Sequence, residues 1–138
     1  MRMLVDTSAW LALADRKDQH HADAVELLER LKTQQTLLVL SEWLLAETLT
    51  VIRSRVHHAA AVRFGRVVLE SHVAELIGSS DALRERAWAI FQQYEDKDFS
   101  FVDCTSFAIM ERSGLKTAFA FDRHFEQYGF QLLSRVIR

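Results

Sequence analysis

Met1-Arg2-Met3-Leu4-Val5-Asp6-Thr7-Ser8-Ala9-Trp10 opens the chain. Met3-Leu4-Val5 is a short apolar run that stops at Asp6, and Ala9-Trp10-Leu11-Ala12-Leu13-Ala14 resumes it after two small hydroxyl residues. A run of that length suits a strand buried on both faces, and the Asp-Thr-Ser that follows is a helix-start signal. The stretch therefore predicts a buried strand that delivers one carboxylate to the end of a sheet and turns at once into a helix. Asp6 then has two readings. It caps the helix, since Asp, Thr and Ser all accept hydrogen bonds from free helix-start amides, or it is a functional carboxylate. The choice depends on whether other carboxylates arrive at the same end of the fold.

The bulk properties narrow the setting. The chain has 138 residues, the size of one ordinary domain with a substantial core, so residues 1–138 are expected to form a single domain. An apolar fraction of 49% and a charged fraction of 26% are those of a folded soluble protein. The longest uncharged apolar runs are too short to cross a bilayer, and the run from Met3 is broken by Asp6, which argues against a signal peptide. The single Cys104 has no internal disulfide partner, so a reducing cytoplasm is expected. Net charge is −2, so no overall positive field draws the protein to nucleic acid. Such a partner would need a local basic strip or bound metal ions.

Moving outward from the first helix, Asp15-Arg16-Lys17-Asp18 is a polar break. Gln19 to Lys32 predicts a second helix with Ala22, Val25, Leu28 and Leu31 inward. Thr36 to Leu40 predicts a second strand, and Ser41 a cap for a helix over Glu42 to Arg55, whose apolar stripe is Leu45, Leu49 and Ile52. On that helix Glu47 has Trp43, Leu44, Thr50 and Val51 at offsets of three and four, so its carboxylate stands among mostly apolar neighbours. A carboxylate there is costly unless it reaches water, is paired, or holds a metal. His58 to Glu70 predicts a fourth helix, with Ala60, Ala61, Phe64, Val67 and Val68 inward. Arg53, Arg55, Arg63 and Arg66, with His57 and His58, form the only dense basic cluster. It reads either as a solvated helix face or as a strip that contacts RNA phosphates.

Val73 to Ile77 predicts a third strand, Gly78-Ser79-Ser80 a turn, and Asp81 to Tyr94 an amphipathic helix using Leu83, Ala87, Ile90, Phe91 and Tyr94. A loop dense in carboxylates, Glu95 to Asp103, leads into a helix near Asp103 that Gly114 stops. Thr117 to Phe121 predicts a fourth strand ending on Asp122. A helical turn over Arg123 to Gln127 and a last strand near Phe130 to Leu133 complete the chain.

Strands alternating with helices predict an α/β fold with a parallel sheet and right-handed crossovers. In such sheets ligands bind beyond the carboxyl ends of the strands. Asp6 and Asp122 each follow a strand, Asp103 opens a helix, and Glu47 lies early on a helix that follows a strand. Any one of them has a structural explanation, but four together repel one another without a cation. Oxygen-rich ligation suits a hard divalent ion such as Mg²⁺ or Mn²⁺ rather than zinc. A pair of such ions about 3.5–4 Å apart is a recurring device for phosphodiester cleavage, and bound cations reconcile an acidic site with a phosphate substrate.

Four segments then match a known pattern in order and spacing. They are Leu4-Val5-Asp6-Thr7-Ser8, Ala46-Glu47-Thr48-Leu49-Thr50, Ser100-Phe101-Val102-Asp103-Cys104 with Phe107-Ala108, and Ala120-Phe121-Asp122-Arg123-His124-Phe125. Over nearly the whole chain this resembles the PIN domain, and among its members the small VapC-type toxins of toxin–antitoxin pairs. The resemblance implies a three-layer fold, a five-stranded parallel sheet flanked by helices, and Mg²⁺- or Mn²⁺-dependent endoribonuclease activity. Carried over by position, Asp6, Glu47, Asp103 and Asp122 are the acidic quartet that binds metal and carries catalysis. Thr7 or Ser8 would hold a water on the metal or a ligand carboxylate. Asp98, Ser100 and Thr105 are secondary candidates by position alone. His124 is near enough for a phosphate contact, although an exposed helix-start histidine explains it too. The resemblance also implies an RNA substrate, a small antitoxin protein that covers the acidic groove, and a homodimer, with the exposed faces of the third and fourth helices as candidate contacts.

Other chemistries fit less well. An aspartyl-nucleophile phosphatase usually wants a second Asp two residues on, where this chain has Ser8, and a receiver domain needs a strand-end Lys, whereas Lys116 precedes its strand. A PIN-like housekeeping nuclease, or a non-catalytic module that binds metal, RNA or protein, are the alternatives within the fold. Retention of all four acids weighs against the second.

Overall fold

The computed structural model describes residues 1–136. In chain order its elements are β1 (Arg2–Val5), α1 (Thr7–Ala14), α2 (His21–Thr33), β2 (Leu37–Ser41), α3 (Glu42–Arg55), α4 (His58–Leu69) and β3 (Ala74–Ile77). There follow α5 (Asp81–Gln93), α6 (Phe101–Ser113), β4 (Thr117–Phe119), α7 (His124–Tyr128), β5 (Gln131–Leu132) and α8 (Leu133–Val136). The strands form one sheet of order β3-β2-β1-β4-β5, parallel throughout. The α/β fold and five-stranded parallel sheet expected from the sequence are therefore what the chain forms.

The order explains why the first residues matter. β1 is central, with Leu4 opposite Val39 on one side and Ala118 on the other. The chain winds outward from β1 through β2 to β3, then returns to add β4 on the opposite side. The strand order thus reverses between β1 and β4, and the crevice at such a switch point is where open α/β sheets bind ligands. Leu4 and Val5 are fully buried, as helices on both faces of a parallel sheet require. They join a continuous core that includes Leu40, Leu44, Ile52, Phe107, Phe119 and Phe125.

Local chemistry sets the element ends. Ser41 Oγ accepts from the Leu44 N–H and caps α3. α6 begins with a reciprocal capping box: Ser100 Oγ accepts from the Asp103 N–H, and the Asp103 carboxylate accepts from the Ser100 N–H. Gly114 ends α6 at φ +69°, in the left-handed region that a side chain disfavours.

Several details depart from the sequence expectation. β4 stops at Phe119 rather than Phe121, because the neighbouring chain has already turned into α1: the Phe121 N–H donates to Ser8 Oγ instead of to a strand. Asp122 thus lies three residues past the strand. The inward face of α2 is Ala24, Leu27 and Leu31, while Val25 is 41% exposed. Two apolar stripes overlap in that helix, and the one with two buried leucines meets the core. Phe91 on α5 and Val67 on α4 also face outward. The final strand is only two residues and gives way to α8.

Candidate metal-binding cleft

Asp6, Glu47, Asp103 and Asp122, from four parts of the chain, line a single cleft of about 370 Å³ at the carboxyl end of the sheet, with Asp18 as a fifth carboxylate on its wall. Asp6 arrives at the end of β1, held in the ladder by its N–H, which donates to the Phe119 carbonyl at 2.9 Å. Glu47 projects from α3, Asp103 from the first turn of α6, and Asp122 from the turn before α7. Asp6 and Asp103 are only 4% and 7% exposed; Glu47 and Asp122 are half-buried.

Small hydroxyls fix these groups. Ser8 Oγ donates to Asp6 Oδ2 at 2.6 Å and accepts from the Phe121 N–H at 3.0 Å, tying the end of β1 to the segment beyond β4. Asp6 Oδ2 also accepts from the Ser8 N–H, so Asp6 is the α1 cap and a cleft carboxylate at once. Thr7 Oγ1 donates to Glu47 Oε1 at 2.6 Å and lies 2.8 Å from Thr48 Oγ1. The resemblance implied that Thr7 or Ser8 holds a metal-bound water or a carboxylate; in the structure each hydroxyl donates to a different carboxylate.

Burial and mutual repulsion raise the carboxyl pKa values of Asp6, Glu47 and Asp103. Burial pushes Asp6 up to about 7, with the charges of Asp103 and Asp122 adding and the Ser8 hydrogen bonds opposing. Glu47 is raised by burial against the Thr7 hydrogen bond, and Asp103 by burial against its Ser100 and His124 contacts. Among the described residues neither Asp6 nor Glu47 has an ion-pair partner. Cys104, adjacent in sequence, is buried and its thiol is pushed up to about 11, which disfavours the thiolate a nucleophile needs.

His124 enters the cleft rather than pointing to solvent. Its Nδ1 lies 2.7 Å from Asp103 Oδ2 and 3.2 Å from Asp122 Oδ1. The signal for this was present in Asp122-Arg123-His124, since the Asp122 side chain accepts from the His124 N–H two residues on, an Asx turn that aims the imidazole back. Asp18, His20 and Arg55 also line the cleft; His20 stacks on Phe121 at 4.4 Å between ring centroids. Nothing in the sequence ties Asp18 or His20 to Asp6.

The secondary candidates separate. Ser100 lines the cleft and caps α6. Asp98 is exposed and does not line it. Thr105 is buried, and its hydroxyl donates to the Val102 carbonyl instead. Of the basic cluster only Arg55 reaches the cleft. Arg53 and Arg66 line a separate groove of about 570 Å³ with Leu49, Ala61 and Leu69, and Arg63 lines a third depression beside Trp10.

Comparison with known proteins gives the chain's family and fold. The PIN domain family model matches residues 3–131. The chain is 36% identical over 133 residues to the 23S rRNA-specific endonuclease VapC20 of Mycobacterium tuberculosis, covering 93% of this chain and 95% of that one. The crystal structure of that protein, described as a sarcin-ricin loop cleaving toxin, superposes with a TM-score of 0.83 at 34% identity, again covering 93% and 95%. VapBC2 from Rickettsia felis, solved bound to a DNA fragment from its promoter, shares the fold with a TM-score of 0.68 at 12% identity over 96% and 97% of the chains. With the family model spanning nearly all of its length, this chain belongs to the PIN domain family.

Proposed function

We propose that this protein is a divalent-metal-dependent endoribonuclease that hydrolyses RNA phosphodiester bonds as the toxin of a toxin–antitoxin pair. The observation that carries the reading is the convergence of Asp6, Glu47, Asp103 and Asp122 on one cleft at the sheet's switch point. The donor set fits the ion: oxygen ligands dominate, and the crowded carboxylates lack enough cations of their own. Asp6, Glu47, Asp103 and Asp122 would hold Mg²⁺ or Mn²⁺. Bound there, the ion would activate water and offset the charge of the scissile phosphate.

The remaining steps belong to the chain. Thr7 holds the Glu47 carboxylate and Ser8 the Asp6 carboxylate, so both are oriented before substrate arrives. Arg55 supplies a fixed positive charge in the cleft for an RNA phosphate. His20, stacked on Phe121, presents a flat ring against which an unpaired base can lie. No protein nucleophile is required, in keeping with the Cys104 thiol.

Identity to a 23S rRNA-specific relative supports ribosomal RNA as the substrate class. The VapC relationship supports a small antitoxin as partner and a homodimer as the working form. The α3 and α4 faces, where Leu69 is exposed in the groove lined by Leu49 and Ala61, are the contact faces we assign. Among the described residues no helix is long and apolar enough to cross a membrane; a ribosomal substrate supports a cytoplasmic setting for the single PIN-like domain we propose over residues 1–138.

The test is incubation of purified protein with ribosomes in Mg²⁺ or Mn²⁺, with primer extension to locate cuts in the large-subunit RNA. A discrete cut is expected, abolished by EDTA and reduced by at least about 10²-fold in Asp6→Asn and Asp103→Asn. Undiminished cleavage in either variant overturns the assignment.

A further inference from the structure

We propose that His124 is a direct metal ligand alongside Asp103 and Asp122, and that it gives this cleft a preference for Mn²⁺ and related transition ions over Mg²⁺. The inference rests on the metal-dependent reading above. It begins with three donor atoms, one from each residue, that all lie within 4.8 Å of one another. His124 Nδ1 is 2.7 Å from Asp103 Oδ2 and 3.2 Å from Asp122 Oδ1. Adjacent ligands on an octahedral ion with bonds of about 2.1 Å are separated by about 3 Å. The imidazole nitrogen therefore already stands at the spacing of a neighbouring ligand from both carboxylates.

The ring is also held there. The Asp122 side chain accepts from the His124 backbone N–H at 2.9 Å, which sets the start of α7. Phe99, itself buried, packs edge-to-face against the imidazole at 5.6 Å between centroids. With its proton on Nε2, His124 presents a lone pair toward the space between the two acids. With the proton on Nδ1, the N–H serves Asp103 alone, and each acid also accepts from a backbone N–H. Neither donor cancels the charge that the two neighbouring carboxylates share, which a cation between them would offset.

The chemistry of the donor decides selectivity. Imidazole suits first-row transition ions, whereas Mg²⁺ strongly favours oxygen ligands and retained water. A site of carboxylates alone would distinguish Mn²⁺ from Mg²⁺ weakly; one with a neutral nitrogen donor should do so clearly.

Calorimetric titration of the metal-free full chain with MnCl₂ and with MgCl₂ tests this, together with the visible spectrum of its Co²⁺ complex. The parent should bind Mn²⁺ at least about tenfold more tightly than Mg²⁺. His124→Ala should lose at least about tenfold in Mn²⁺ affinity, change Mg²⁺ affinity by less than about threefold, and shift the Co²⁺ bands. Circular dichroism checks that the variant folds. If it does not, His124→Gln, which keeps a side-chain donor in the same space, should show the same loss of Mn²⁺ preference. Unchanged Mn²⁺ affinity and Co²⁺ bands overturn the inference, as does an equal fall for Mn²⁺ and Mg²⁺, which would make His124 only a positioner of the acids. Asp103→Asn should weaken both ions; a parent that binds neither ion overturns the metal-dependent reading as well.

Discussion

At the scale of single residues, Asp6 shows that capping a helix and lining a cleft are compatible uses of one carboxylate. One oxygen takes both Ser8 hydrogen bonds, which leaves the other for the cleft. The same burial makes the metal-free protein sensitive to pH. In the unfolded chain Asp6 titrates near 3.8, whereas the folded protein holds its proton up to about 7. The resulting stability is complete below about pH 4 and lost as pH rises through 7. Chelator-treated protein should therefore melt at a lower temperature at pH 8 than at pH 5. Asp6→Asn should flatten that slope, and Mn²⁺ should raise the melting temperature more at pH 8. Thr7 offers a second prediction. Thr7→Val removes the hydroxyl that donates to Glu47 and meets Thr48, which should cost about 1–3 kcal/mol in thermal unfolding and slow cleavage about tenfold. Thr7→Ser should retain most of both. Asp6 and Asp122 stood out in the sequence because each follows a strand, and Asp103 because it lies in the first turn of a helix, whereas Glu47 lies inside α3 and stood out only by its apolar neighbours. For His124 the sequence offered the Asx turn at Asp122 but not the packing of Phe99 that completes its orientation.

At the scale of elements, the Ser41 cap of α3 and the Gly114 stop of α6 were legible because a single side chain, or its absence, makes them. Ser80 and Ser100 also cap the helices that follow, and Ser100 starts α6 at Phe101, two residues ahead of the start at Asp103 that the sequence suggested. Ser100→Ala should cost about 1 kcal/mol and, by loosening Asp103, lower cleavage more than stability, measured as kcat beside chemical denaturation. Gly114→Ala meets no atom within 4 Å, so its cost should be the left-handed backbone alone, about 1 kcal/mol, with cleavage unchanged. What the sequence concealed depends on neighbours. The end of β4 is decided by where β1 turns away, and the inward stripe of α2 by which of two overlapping apolar faces meets the sheet.

At the scale of the molecule, alternation of strands and helices announced a parallel sheet, but not the order β3-β2-β1-β4-β5 that puts the switch point beside Asp6. That order arises from packing among distant segments. The aromatic wedge behind the cleft is one such packing: Phe107 stacks on Tyr128 at 4.4 Å and meets Phe99 and Phe125 edge-on, joining α6 to α7. Phe107→Ala should destabilise the protein by about 3–5 kcal/mol in denaturant unfolding, a large share of a small domain's stability. The central claim is that four carboxylates far apart in sequence form one cation site. Anomalous diffraction from crystals grown in millimolar Mn²⁺ tests it most directly. The account predicts a manganese peak in the cleft, within about 2.0–2.4 Å of carboxylate oxygens that include Asp103 and Asp122. Manganese-saturated crystals with no peak between these acids would contradict it.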